Sequence, residues 1–299
     1  MGDEGVRADT VEMEVGGHRV RVTHPDKVLY PQTGTTKKQV IDYFLRVAPF
    51  LVPLAAGRPA TRKRWVDGVG TPERPGDFFF QRNLDRSAPA WIHRGTEHHR
   101  ERVDTYPLVD DAATLVWLAQ MAVLEIHVPQ WRFDSSGAPG APDRLVVDLD
   151  PGEGAGLGQC AEVALLVRGV LEGLGLKCVP VTSGSKGIHV YAPLDGTRSS
   201  AQVDELAHQI ARSLAAGHPD LVVSTMHKGD RVGRVMVDWS QNNEHKTTVV
   251  PYSLRGRFLP TVAMPRTWAE LEEPDLRQVG IDEVAGLLEA RGDPASILW

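Results

Sequence analysis

The chain has 299 residues, with 41% hydrophobic and 24% charged side chains, which is the composition of a protein with one large or two modest cores. Thirty-three Lys and Arg stand against 39 Asp and Glu, a formal charge of −6 that excludes a polycationic nucleic-acid coat but leaves room for local phosphate-binding patches. Only two cysteines occur, Cys160 and Cys178, so a disulfide framework and a four-cysteine zinc site are excluded. No apolar run is long enough to cross a bilayer and the start is polar and acidic, so the chain reads as cytoplasmic. Charge is polarised: residues 1–103 hold 17 basic and 13 acidic residues, and residues 104–299 hold 16 and 26.

Residues 1–10 lack apolar periodicity and read as a loose tail. EVGGHRVRVTH predicts a hairpin turning at Gly16-Gly17. A helix is expected near 36–47, with Val40, Ile41, Phe44 and Val47 on one face and with Pro49 and Pro53 as its stop. Arg58, Arg62, Lys63 and Arg64 then concentrate positive charge, and a Pro/Gly-rich loop leads to Phe78-Phe79-Phe80, three side chains that cannot all face one core. A second helix is predicted over 112–126. After a polar loop, a strand over 144–150, a helix over 159–173, strands over 176–181 and 188–193, a helix over 201–215 and strands over 221–224 and 234–239 follow. Thr267-Trp-Ala-Glu270 fits a capping box. Strands and helices mixed in this way predict an α/β or α+β sheet.

In RLVVDLDP, side-chain alternation puts Asp148 and Asp150 on one face of a strand end. Two carboxylates that close repel by about 4 kcal/mol at an intermediate dielectric. A divalent cation relieves that repulsion, and solvation at a strand end is the alternative. Asp238, ending its own apolar run, supplies a third acid, and three such carboxylates can hold two Mg²⁺ or Mn²⁺ for phosphoryl transfer. Polymerases, nucleases and cyclases share that arrangement. TSGSKGIHVY over 182–191 is a glycine-rich turn with hydroxyls, a lysine and a histidine; it reads as a phosphate cradle of backbone N–H groups or as a simple hairpin turn. Gly152, Gly154, Gly156 and Gly158 do not fit the G-x-G-x-x-G register and read as a loop beside the metal site.

DLDPGEG, TSGSKGIHVY and VDWSQN, in this order, resemble the three motifs of the archaeo-eukaryotic primase-polymerases. The likeness is narrower still to the polymerase domain of bacterial ligase D and its stand-alone relatives. HPDKVLYPQTGTTK, RPATRKRW, EIHVPQWRF, KTTVVPYSLRGR and PRTWAEL extend it over about residues 18–275. The resemblance implies largely antiparallel central sheets flanked by helices around an RRM-like catalytic core. Within a single catalytic domain over 11–299, it implies a DNA-binding part over 11–110 and a catalytic part over 111–299. Asp148, Asp150 and Asp238 would be the metal ligands, and Ser183, Lys186 and His189 the triphosphate and sugar contacts. His127 would sit by the ribose, with Lys63, Gln241 and Arg255 completing the nucleotide pocket. Lys27 and Lys37 would grip a DNA 5′-phosphate, Phe79 and Phe80 would stack on template bases, and Arg231 would serve a loop used when two DNA ends are brought together.

The implied activity is template-dependent addition of ribo- or deoxyribonucleotides, with two Mn²⁺ or Mg²⁺, at short gaps or double-strand breaks, as in non-homologous end joining. Priming or general gap filling is the alternative; a nuclease or an idle binding module fits the nucleotide turn and the three acids less well. Implied partners are gapped or broken DNA with a 5′-phosphate, a separate ligase and a Ku-type end-binding protein, with no membrane, in a bacterial, nucleoid-associated setting. No ligase nucleophile motif is present, since Trp65 stands where its lysine would be, and the tail over 293–299 favours a protein encoded on its own.

Overall fold

A computed structural model describes residues 9–98, 101–225 and 227–299. Most of the expected tail, residues 1–8, lies outside the described residues; Thr10 already belongs to a strand. Strands β1 (Thr10–Val15) and β2 (His18–Thr23) form the predicted hairpin, with Gly16 and Gly17 both at positive φ, as its tight turn requires. Helix α1 spans Lys37–Ala55 and opens on a capping box between Thr36 and Gln39.

The prolines do not stop α1, contrary to the sequence expectation. It runs through Pro49 and Pro53 because Leu51, Leu54 and Ala55 are fully buried against the core. Its last carbonyls also find donors from elsewhere in the chain: Arg132 reaches the oxygens of Pro53 and Ala56 at 3.0 and 2.6 Å, while Arg58 and Arg144 reach that of Leu54 at 3.2 and 3.0 Å. Three guanidiniums thus offset the negative helix end, and Asp143 pairs with Arg58 and Arg132 among them.

Strands β3 (Thr61–Arg64) and β4 (Phe79–Gln81) follow, then helix α2 (Ala112–Gln120) and strand β5 (Val123–Val128). The helix predicted over 112–126 is therefore two elements. Ala122 turns at φ 57°, and the chain reverses into β5 because residues 123–127 pair with β3, Lys63 opposite Glu125 and Thr61 opposite His127. Helical spacing of the apolar residues could not reveal that cross-strand competition.

Among the elements that follow are β6 (Arg144–Pro151), α3 (Leu157–Gly173), β7 (Val179–Thr182), β8 (Ile188–Pro193), α4 (Ser200–Gly217), β9 (Val222–Val223), β10 (Val235–Asp238), β11 (Thr248–Val249) and β12 (Met264–Pro265). One sheet has the order β9-β10-β6-β8-β7-β12, antiparallel except for the β9-β10 edge; a second has the order β11-β5-β3-β4. This is the mixed, largely antiparallel architecture expected.

Alternation divides the six-stranded sheet. Leu145, Val147, Leu149, Ile188, Val190 and Val237 pack against α3 and α4, whereas Val146, Val181 and Tyr191 turn toward the core that holds α1 and the four-stranded sheet. Tyr191 fastens the two sheets by donating its hydroxyl to the Val249 carbonyl at 3.2 Å. The two cores do not part at residue 110, since Val249, Val262 and Leu298 help close the core that holds α1.

Candidate active site

The acids, by the same alternation, lie on the face of β6 and β10 that looks toward the four-stranded sheet. In the antiparallel register Asp148 has His189 of β8 on one side and Asp238 of β10 on the other, and Asp150 follows one side-chain repeat along β6. Directly paired Cα atoms stand about 5 Å apart. Burial first, then the charges of Asp150 and Asp238, pushes the Asp148 carboxyl well above the usual carboxylate range; partial desolvation and Asp238 push Asp150 the same way.

Asp238 is held in place, accepting from Ser240 N at 3.0 Å, Ser240 Oγ at 2.7 Å and Gln241 Nε2 at 3.0 Å. Gln241 therefore meets an acid of the cluster. His189 Nε2 lies 3.3 Å from Asp148 Oδ1, and its buried Nδ1 has no hydrogen-bond partner among the described residues. Burial, then the nearby Arg255 and His127, lowers the His189 pKa to about 3, so the ring is neutral at pH 7.

No three His, Cys, Asp or Glu side chains among the described residues stand already gathered at metal-ligating distance. The donor set nevertheless fits hard divalent cations: three carboxylates on adjacent strands, two of them resisting ionisation for want of an opposing charge. Cys160, the nearby soft ligand, is buried and points its Sγ at the Leu149 carbonyl.

In the 183–187 turn several backbone N–H groups are already bonded within the protein, which departs from one of its two readings, a cradle of free N–H groups. Ser183 Oγ accepts from Ser185 N and Gly187 N at 3.2 Å each, and Gln278 clamps the turn by accepting from Gly184 N at 2.7 Å and donating to the Gly187 carbonyl at 3.2 Å. With its lone pairs occupied, the Ser183 hydroxyl is left to donate its proton outward. Gly184 sits at φ 67° where a Cβ would lie 2.6 Å from Arg255 Cγ, so glycine is required there. Arg255 bonds the Ser183 carbonyl, Arg257 donates to Ser185 Oγ at 2.6 Å, and Lys186 stands exposed at the tip.

Across the cleft, β3 and β5 supply Lys63 and His127, and with them Glu125. Glu125 Oε2 lies 2.8 Å from His127 Nε2 and 3.4 Å from Lys63 Nζ, and Oε1 lies 3.0 Å from Gly256 N and 3.4 Å from Arg255 Nε. Sequence inspection passed over Glu125, Gln278 and Arg257. None carried a local signal: the i, i+2 relation of Glu125 to His127 puts them on one face only in a strand, and the apolar spacing there is helical.

Phe78, Phe79 and Phe80 are 52%, 56% and 50% exposed. Register puts Phe80 opposite Lys63, with its ring 6.4 Å from that of His127, and Phe78 lies under the Lys63 ammonium at 4.7 Å. Phe79, paired with Arg64, points to the opposite face. Lys27 and Lys37 are brought together by a 2.8 Å bond from Lys37 N to the Lys27 carbonyl. Lys27 pairs with the exposed Asp67 at 2.8 Å, whereas buried Lys37 donates to the Thr23 carbonyl at 2.6 Å; desolvation, then Lys27, lowers its pKa. Arg231 ends a 3-10 turn packed on the loop after β6: a Cβ on Gly152 would meet the Arg231 carbonyl at 1.8 Å. Its charge reaches Asp150.

Comparisons with known proteins concern the chain as a whole. The chain is 54% identical over 280 residues to the multifunctional non-homologous end joining DNA repair protein LigD of Mycobacterium tuberculosis H37Rv, covering 92% of this chain and 36% of that protein. It is 28% identical over 280 residues to the bifunctional LigD of Bacillus subtilis, covering 92% of this chain and 43% of that protein. It thus spans between a third and a half of these relatives. Its fold matches that of the polymerase domain from Mycobacterium tuberculosis ligase D, solved in complex with DNA, with a TM-score of 0.89 and 53% identity over 94% of this chain and 98% of that one. No helix among the described residues is long and apolar enough to cross a membrane. Residues 36–295 match the family described as LigD, primase-polymerase domain, and the chain belongs to that family.

Proposed function

We propose that this chain is a template-dependent polymerase that adds ribo- or deoxyribonucleotides to primer 3′ ends at short DNA gaps or broken ends, in non-homologous end joining. The observation that carries this reading is the row His189–Asp148–Asp238, with Asp150 one repeat along, facing a second sheet that presents Lys63 and His127. Asp148, Asp150 and Asp238 would hold two divalent cations, Mn²⁺ or Mg²⁺. When bound, such ions activate a 3′-hydroxyl and neutralise charge on a triphosphate.

The chain's own residues do the remaining work. Lys186 and Arg255 offset phosphate charge, and Ser183 donates its hydroxyl proton to a phosphate oxygen. His127 and His189 meet the sugar. Gln241 and Ser240 hold Asp238 in its orientation. Phe80 offers a ring to a template base, Lys27 and Lys37 receive a 5′-phosphate, and Arg231 serves the bringing together of a second DNA end. Ligation and Ku-type end capture would come from other polypeptide segments or proteins.

Primer extension on gapped DNA, with Mn²⁺ or Mg²⁺, tests the proposal. Metal-dependent addition opposite the template is expected and should be lost in Asp238→Ala; template-independent addition, or none with either metal, would overturn it.

A further inference from the structure

Glu125 is a carboxylate inside the nucleotide pocket with a side chain only 3% exposed, and it meets donors from three separate segments: Lys63 of β3, His127 of β5 and the Arg255-Gly256 loop. Burial alone would push its carboxyl up. The His127 hydrogen bond and the charges of Arg255 and Lys63 outweigh burial and hold it well below the usual carboxylate range. An ionised carboxylate only accepts, so in the 2.8 Å contact the hydrogen belongs to His127 Nε2. Desolvation, joined by the charges of Arg255 and Lys63, outweighs the pull of Glu125 and lowers the His127 pKa, which favours the neutral ring at pH 7. A neutral imidazole has one N–H, so Nδ1 is left bare.

We infer that Glu125 is a positioning residue that locks His127 in the Nε2–H tautomer, so that His127 meets the incoming sugar with Nδ1 as a hydrogen-bond acceptor. The inference rests on the proposal that His127 faces the sugar. It converts that placement into a chemical demand: the sugar must offer a hydroxyl as donor, and ribose has one that deoxyribose lacks. Because Glu125 also holds Lys63 and the Arg255-Gly256 loop, sugar reading and phosphate binding share one anchor beneath the pocket.

Imidazole nitrogen NMR on the wild-type protein, without nucleotide, tests the tautomer directly. A protonated Nε2 and bare Nδ1 at His127 are expected; the reverse overturns the inference and needs no variant that folds. Glu125→Gln turns an NH₂ donor toward His127 and favours the other tautomer. In that variant the ratio of kcat/KM for ribo- over deoxyribonucleotides should fall about three- to tenfold, the worth of one hydrogen bond. In a His127→Ala background the ratio should not fall further. Equal loss with both nucleotides in Glu125→Gln would reduce Glu125 to a structural role and overturn the inference alone. A His127→Ala protein with unchanged sugar preference would instead overturn the placement of His127 at the sugar, and the inference with it.

Discussion

The two sheets that face each other across the cleft treat charge in opposite ways. On the four-stranded sheet, Glu125 is surrounded by Lys63, His127 and Arg255, and its charge is answered within the protein. On the six-stranded sheet, Asp148 and Asp150 adjoin a third acid, and their own carboxyl groups resist ionisation. The first surface is assembled before any ligand arrives; the second is completed by the cations it would bind. Removing a charge should therefore have opposite consequences for stability on the two sides.

The largest effect is expected at Asp148. Asp148→Asn should reduce nucleotide addition by about 10²–10³-fold or more, yet raise the unfolding temperature of the metal-free protein by removing repulsion. Calorimetry with and without Mn²⁺ checks both halves: wild type should gain about 2.7 kcal/mol at a metal concentration one hundred times Kd, and the variant should gain much less. A metal-free Asp148→Asn protein less stable than wild type would break the comparison.

Glu125→Gln should do the reverse, lowering stability by about 3–5 kcal/mol, as when one partner of a buried ion pair is removed, while retaining the response to Mn²⁺. A related pH dependence follows. The Glu125 carboxyl is held below its ordinary value, so its contribution is present above the unfolded pKa near 4.3 and is lost as pH falls toward the folded value. Asp143 behaves alike, because Arg58 and Arg132 overcome the upward push of its burial. Acid unfolding should begin below about pH 4 and shift in Glu125→Gln, which a pH series of denaturant melts would detect.

Phe80 and Phe79 sharpen the comparison at the rim. Stacking on a base contributes about 1–3 kcal/mol, so Phe80→Ala should weaken binding to gapped DNA by that amount and Phe79→Ala by less. Equal losses would mean that both rings reach the template. The smallest effect is expected at Lys27, whose replacement by Ala should flatten the plot of log affinity against log salt by roughly 0.7 to 0.9 and remove part of the preference for a 5′-phosphate. Lys37→Ala also deletes a bond to the Thr23 carbonyl, so its DNA affinity must be read beside its stability.

The sequence alone determined whatever depends on neighbours within a few residues. Period-two alternation put Asp148 and Asp150 on one face, Gly16-Gly17 demanded a hairpin turn, and the spacing of Val40, Ile41, Phe44 and Val47 made a buried helix face, all as observed. The order of the long motifs pointed to the family before any coordinates. Tertiary structure decided what depends on residues far apart in the chain. Pairing with β3 made residues 123–126 a strand against their helical spacing, and arginines 58, 132 and 144 satisfied the end of a helix that two prolines should have stopped. Likewise Glu125 gained its place only when β3, β5 and the 255–256 loop converged, because a buried carboxylate is defined by the donors that surround it, and those come from positions 63, 127, 255 and 256.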